Sequence, residues 1–154
     1  MDEQKPKPWE KWRAAMEKEH AMCCRVQAVA EELHHKHGLE FEVRTGWWQP
    51  TLDWCEIGGT LQDFARMVQQ TAAALGPAAK IEAEGSEYAP DRAPDLRAEW
   101  TIQREDLRVR VMVRVLTPVG CKLDPRVTPT PATVAPLHPE CRAVLEELKD
   151  AGVE

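Results

Sequence analysis

Histidine and cysteine residues cluster near the N-terminus, at spacings that could hold a metal ion. His34 and His37 are three residues apart, and His20 has a similar spacing to the adjacent pair Cys23 and Cys24. Imidazole and thiolate groups on one helical face can share a tetrahedral zinc ion. A complete site needs further ligands, but no CxxC pair occurs and the cysteines are irregularly spaced. We therefore expect no metal site and no cofactor, and interpret the histidines as a polar helix end that complements the helix dipole.

Tryptophan is the second group of residues with a potential function, since the chain contains 6 Trp but only 2 Phe and 1 Tyr. Trp47 and Trp48 lie in a turn between two predicted strands, and Trp9 and Trp12 lie on the first predicted helix. Indole rings in loops can stack on sugars, bases or prolines, and they anchor many protein interfaces. The alternative is that some of them complete the core. We predict that at least part of this set forms a protein–protein contact.

Arginine side chains recur on one face of a predicted β-hairpin. These residues are Arg97, Arg108, Arg110 and Arg114. Such a face could bind phosphate or nucleic acid. Against this, the face lacks the exposed aromatics of an RNA-reading sheet, and the net charge of −6 disfavours nucleic acid. Glu99 lies diagonal to Arg114, so cross-strand ion pairs are the simpler explanation.

The sequence contains no established catalytic motif. It has no P-loop, no dinucleotide fingerprint, no GxSxG and no HExxH. Asp53 and Glu56 flank Cys55, but burial of this cysteine in a strand is a simpler interpretation than use as a nucleophile. We therefore predict a protein that binds and does not catalyse.

The clearest of the elements that must position these residues is a β-hairpin from Leu96 to Leu116. Apolar and polar residues alternate strictly on both sides of Glu105 and Asp106, as in a half-buried antiparallel strand pair. With these two residues as the turn, the apolar side chains of both strands fall opposite one another. The predicted pairs are Ile102–Val109, Trp100–Val111, Ala98–Val113 and Leu96–Val115.

Hydrophobic periodicity predicts the remaining elements. One helix begins at Pro8 and ends before Gly38, and a second follows the capping sequence Thr60–Asp63 and ends at Gly76. Strands are predicted at 39–45, 52–57 and 79–83, and a short helix at 139–149. The order α-β-β-α-β-β-β-α indicates an α+β fold, with a mostly antiparallel sheet of about five strands and helices packed on one face.

The first predicted helix is long for a chain of this size. A helix of about 29 residues would extend roughly 43 Å, which exceeds the diameter of a compact domain. Either the helix breaks near His20, or its N-terminal half projects and packs on a partner.

The chain of 154 residues suits one domain with its own core. We predict a flexible N-terminus at 1–7, an α+β domain at 8–117 and a proline-rich extended segment at 118–138. A C-terminal helix at 139–154 would pack on the domain or on a partner. No apolar run approaches the roughly 20 residues that span a bilayer, and the first residues lack the apolar stretch of a secretory signal. With an odd number of cysteines, these features favour a cytoplasmic protein that does not contact membranes.

Together, these patterns predict a protein-binding module. We expect a small adaptor, inhibitor or immunity-type protein that occupies the surface of another protein, with homodimer formation as a further possibility. Its composition, rich in Ala, Arg, Val and Pro and poor in Ile, is typical of a GC-rich bacterium or its phage. The alternative is a nucleic-acid-associated protein that uses Arg97, Arg108, Arg110 and Arg114.

Overall fold

The computed structural model describes residues 4–45, 49–84, 94–119 and 139–151. Over these residues the helices are α1 (Pro8–His37), α2 (Leu61–Leu75) and α3 (Pro139–Ala151). The strands are β1 (Glu42–Arg44), β2 (Thr51–Ile57), β3 (Lys80–Glu84), β4 (Asp95–Arg104) and β5 (Leu107–Leu116). The predicted α+β class and the predicted order of elements are confirmed. The Trp47–Trp48 turn, residues 1–3 and 152–154, and most of the proline-rich segment (120–138) lie outside the described residues.

The five strands form one sheet in the order β1-β2-β5-β4-β3. Three of the four pairings are antiparallel, and the pairing of β2 with β5 is parallel. Because β4 is antiparallel to both β3 and β5, strands β2 and β3 run in the same direction. Helix α2 therefore connects two parallel strands that are separated by β5 and β4.

The hairpin of β4 and β5 has the predicted register. Trp100 lies opposite Val111 and Ala98 lies opposite Val113, with Glu105 and Asp106 as the turn. Glu105 has a φ of 55°, the left-handed backbone conformation that such a tight turn uses.

The core lies on one face of the sheet, which we call the inner face. The alternating apolar residues of β4 and β5 belong to a single buried cluster with residues of all three helices, including Val26 of α1, Phe64 of α2 and Leu145 of α3. The helices therefore cover the inner face, as predicted. The opposite face, which we call the outer face, presents the mostly polar residues that alternate with the buried ones along the strands.

Helix α1 is continuous, so the alternative of a break near His20 is excluded. Its 30 residues correspond to about 45 Å. The helix ends at Gly38 (φ 71°), whose N–H donates to the carbonyl of His34 at 2.8 Å. The next residue, Leu39, is buried and donates to the carbonyl of Leu33 at 3.4 Å. Because these residues complete the helix end, β1 is shorter than the predicted strand at 39–45.

The beginning of the proline-rich segment runs beside the residues that connect β2 to α2. Val119 donates its N–H to the carbonyl of Gly59 at 2.9 Å and forms a parallel bridge with Thr60. The chain therefore continues the direction of β5 for a few residues beyond Leu116.

Candidate interaction surfaces

The N-terminal half of α1, residues 8–21, lies outside the core, and we call it the projecting half. Every residue of this segment is exposed, and the first buried residue of the helix is Val26. The exposed fraction is 59% for Trp9, 66% for Trp12 and 46% for Met16. Since these three residues are three and four positions apart, they form one apolar stripe on the helix. Of the two possibilities that the helix length left open, the structure shows a projecting half, and its packing on a partner stays a prediction.

A groove lies between α1 and the turn of the β4–β5 hairpin. It has a volume of about 530 Å³, and its apolar lining includes Ala15, Met22 and Leu107. At one end, Arg25 donates to the carboxylate of Asp106 at 2.7 Å, which links the helix to the hairpin turn. This hydrogen bond lowers the pKa of Asp106 and raises that of Arg25. The groove therefore lies between the turn of the hairpin on one side and residues of the projecting half on the other.

Two of the four arginines of the outer face form ion pairs with carboxylates. Arg97 forms an ion pair with Glu99 on its own strand, and Arg114 forms one with Asp53 on β2. The expected diagonal pair of Glu99 and Arg114 is therefore wrong, because β2 offers Arg114 a closer carboxylate. Arg108 is exposed, and its side chain makes no ion pair with any residue that the structure describes.

Arg110 and Arg114 line a pocket on the outer face, together with Arg44 of β1. We call it the arginine pocket. It has a volume of about 240 Å³, and its other lining residues are Thr45, Gln49, Thr51, Asp53 and Met112. Because β1, β2 and β5 are neighbours in the sheet, they bring these side chains together from three separate parts of the sequence.

The floor of the arginine pocket is a buried carboxylate. The side chain of Asp53 is 1% exposed and accepts two hydrogen bonds from Arg114, at 3.0 Å from Nε and at 2.6 Å from Nη2. Arg44 Nη2 lies 3.2 Å from Asp53 Oδ2. Sequence reasoning missed Arg44 and Asp53, whose importance depends on the pairing of distant strands. Arg44 lies with Glu40 and Glu42 on the polar side of its predicted strand, but the strand of Asp53 shows no clear alternation of polar and apolar residues.

The histidine and cysteine residues near the N-terminus are only partly brought together. Cys24 Sγ lies 3.7 Å from His20 Nε2, whereas Cys23 points to the hydroxyl of Thr45 at 3.4 Å. Within residues 4–45, 49–84, 94–119 and 139–151, no group of three or more His, Cys, Asp and Glu could hold a metal ion. Cys55 is half-buried on β2, and its burial raises the pKa of its thiol.

No family model, curated protein or solved structure matches this chain. In the part of the chain that the structure describes, no helix combines the length and the apolar character needed to cross a membrane.

Proposed function

We propose that this protein is a protein-binding module that uses the projecting half of α1 to occupy the surface of a partner. Such a module would act as a small adaptor, inhibitor or immunity-type protein in the cytoplasm of a bacterium, encoded by the bacterium or by a phage. The observation that carries the proposal is the exposure of Trp9, Trp12 and Met16 on one stripe of a helix. Two indoles and a thioether exposed together are costly to hydrate, and they are the side chains that protein interfaces favour.

The arrangement of the stripe indicates the chemistry of the partner. Anchors at i, i+3 and i+7 on an amphipathic helix are typical of a helix that lies in an apolar groove of its partner. The polar positions around the stripe carry both signs of charge, including Glu10, Lys11, Glu17 and Lys18. Charge is therefore a weaker determinant of this contact than apolar surface, and binding should persist at moderate salt.

The central test compares three tagged proteins in a pull-down from cells of a GC-rich bacterium. They are the wild type, the double variant Trp9→Ala/Trp12→Ala, and a control, Lys11→Gln/Lys18→Gln, whose changes lie on the opposite side of the helix. We expect a protein that the wild type and the control retain and the tryptophan variant loses. Since interface tryptophans typically contribute about 2 kcal/mol or more, the affinity should fall by at least about thirtyfold. Equal retention by all three proteins would contradict the proposal. The double variant Trp47→Ala/Trp48→Ala, run in parallel, tests the predicted contribution of the turn.

The partner of the projecting half could also be a second copy of this chain, and this case must be distinguished from a different protein. Light scattering of the purified protein over a range of concentrations measures its mass directly. A dimer that the Trp9→Ala/Trp12→Ala variant converts to monomer would identify the partner as the protein itself. A wild-type monomer assigns the stripe to a different protein.

Nucleic-acid binding through the arginine face remains the alternative function. Two of its four arginines are already paired with carboxylates, which weakens this alternative. The test is a binding titration at several salt concentrations with the variant Arg108→Glu/Arg110→Glu. Affinity that falls steeply with salt and is lost in this variant would favour nucleic acid over a protein partner.

A further inference from the structure

We propose that the arginine pocket binds the phosphate group of a small phosphate monoester or of free phosphate. This site is independent of the projecting half of α1, and the proposal does not rest on protein binding. Its basis is an excess of positive charge in a small concave site, where the buried Nε of Arg110 has no acceptor among the described residues.

The charges around the pocket do not balance. Its lining residues are three arginines and one carboxylate, that of Asp53, so the lining has a formal charge of plus two; Asp95 also acts on Arg114 from outside the lining and lowers this excess. Glu42 approaches Arg44 at 3.6 Å, but its side chain is 70% exposed and solvent screens this contact. A phosphate monoester carries a charge between about −1.5 and −2 at neutral pH, which complements this excess better than one carboxylate does.

Arg110 differs from the other two arginines of the pocket. Its Nε is buried and has no hydrogen-bond acceptor among the described residues. Arg114 and Arg44, in contrast, both contact Asp53. A guanidinium that has lost part of its hydration without gaining an acceptor gains more than a fully hydrated one from a bound anion.

Asp53 also orients the site. Its two hydrogen bonds from Arg114 hold that guanidinium in one plane at the floor of the pocket. The guanidinium of Arg114 is thereby held by a buried anion and needs little reorganisation when a ligand arrives, whereas Arg44 is half exposed and makes one contact with the same anion. A planar guanidinium that is held in place is well suited to the recognition of phosphate.

Neutral donors complete the lining. Thr45 accepts the contact from Cys23, which leaves its own O–H available to donate. Thr51 differs, because its hydroxyl already donates to the carbonyl of Gln49 at 3.1 Å. A tetrahedral anion offers several acceptor oxygens to such a mixed set of donors. The volume of about 240 Å³ suits a phosphate group with few further atoms, and not a drug-sized ligand.

The test measures inorganic phosphate binding to the full chain by phosphorus NMR and by calorimetry, at constant ionic strength. We expect saturable binding to one site. Arg110→Gln should weaken it by about tenfold or more, because a charge-assisted contact is lost. The matched control is Arg108→Gln, two positions away on the same strand and face but outside the pocket. It should change the affinity by less than about twofold. Equal losses in both variants would indicate diffuse attraction and overturn the proposal, as would the absence of saturation in the wild type.

Further arms test the ligand and the fold. Acetate that binds as tightly as phosphate would overturn the preference for a phosphate group. If O-phosphoserine binds more tightly than inorganic phosphate, the ligand of the site is a phosphate monoester. If O-phosphoserine binds more weakly than inorganic phosphate, the ligand is free phosphate. If Arg110→Gln does not fold, Thr45→Val decides, since it removes one donor at nearly constant volume. It should weaken phosphate binding severalfold, and unchanged binding would overturn the proposed donor set.

Discussion

Asp53 and Arg114 form a two-point ion pair across β2 and β5, with Nε–Oδ1 and Nη2–Oδ2 distances of 3.0 and 2.6 Å. Arg44 of β1 contacts the same carboxylate at 3.2 Å, so one buried acid connects three neighbouring strands. The hydrogen bonds from Arg114 to Asp53 raise the pKa of the arginine above its ordinary value, which favours its charged form. Among the described strands, β2 and β5 form the one parallel pair, and this ion pair stabilises it.

Replacing Asp53 should therefore destabilise the sheet. Asp53→Asn leaves two arginines facing each other without their anion, and we expect the free energy of unfolding to fall by about 2 kcal/mol. This is less than the roughly 3–5 kcal/mol of a fully buried pair, because both arginines keep contact with water. Urea unfolding measures the difference. The control is Glu42→Gln, which removes an exposed acid that contacts Arg44. It should lower the free energy of unfolding by less than about 0.5 kcal/mol. Similar losses in both variants would contradict this role of Asp53.

Local patterns were sufficient to predict the β4–β5 hairpin. Its strands are joined by two residues, so one assumption about the turn determines every cross-strand pair. The parallel pairing of Asp53 with Met112 could not be deduced in this way, because the residues between them form other elements and no local signal relates the two strands. The arginine pocket depends on that pairing, which explains why Arg44 and Asp53 were not identified from the sequence.

The exposure of Trp9 and Trp12 did not follow from the hydrophobic periodicity of the first helix. They share a helical period with Val26 and Leu33, and a periodic stripe does not distinguish a residue that is buried in the core from one that projects past it. The one indication that Trp9 and Trp12 project was that the predicted helix is longer than the diameter of a compact domain of this size. The outcome for Trp47 and Trp48 remains a prediction.

Asp63 should make the free energy of unfolding depend on pH in the acidic range. At the start of α2, Thr60 donates its N–H to Asp63 Oδ2 at 2.8 Å and accepts from the N–H of Asp63 at 3.1 Å. The bond from the Thr60 amide lowers the pKa of Asp63 below its ordinary value of 3.8. A carboxyl with a lowered pKa in the folded state stabilises the fold above its unfolded pKa, and this contribution is lost as the pH falls through the folded pKa.

Unfolding in denaturant at a series of pH values tests this contribution. The difference in unfolding free energy between the wild type and Asp63→Asn should be largest near neutral pH and shrink below the ordinary pKa of 3.8. A difference that does not change with pH would show that the carboxylate charge is unimportant in the cap.

Cys55 should be a slow nucleophile. Its burial raises the pKa of its thiol, so less of it is thiolate at neutral pH, and its access to reagents is also restricted. Cys24 is exposed on α1 and provides a comparison within the same molecule. Alkylation with iodoacetamide, followed by peptide mass spectrometry, should modify Cys24 at least about tenfold faster than Cys55 in the folded protein. The two rates should converge in denaturant, and equal rates in the folded protein would contradict the burial of Cys55.

Trp100 connects the sheet to the end of α2, and its indole N–H is expected to contribute to stability. This side chain is 3% exposed, and its Nε1 donates to the carbonyl of Gly76 at 2.9 Å. Trp100→Phe removes the donor, leaves that carbonyl without this partner and opens a small cavity, so we expect a loss of about 2 kcal/mol.

The matched control is Trp54→Phe. Trp54 also lies on the inner face, where it packs edge-on against Phe41, but its N–H donates to no residue that the structure describes. Because the two substitutions delete the same ring atoms, the excess loss at Trp100 in urea unfolding measures the hydrogen bond together with the deeper burial of that ring. We expect the loss at Trp54 to be about 1 kcal/mol or less. If the two variants were equally destabilised, the bond to Gly76 would add nothing, and packing alone would hold α2 against β4.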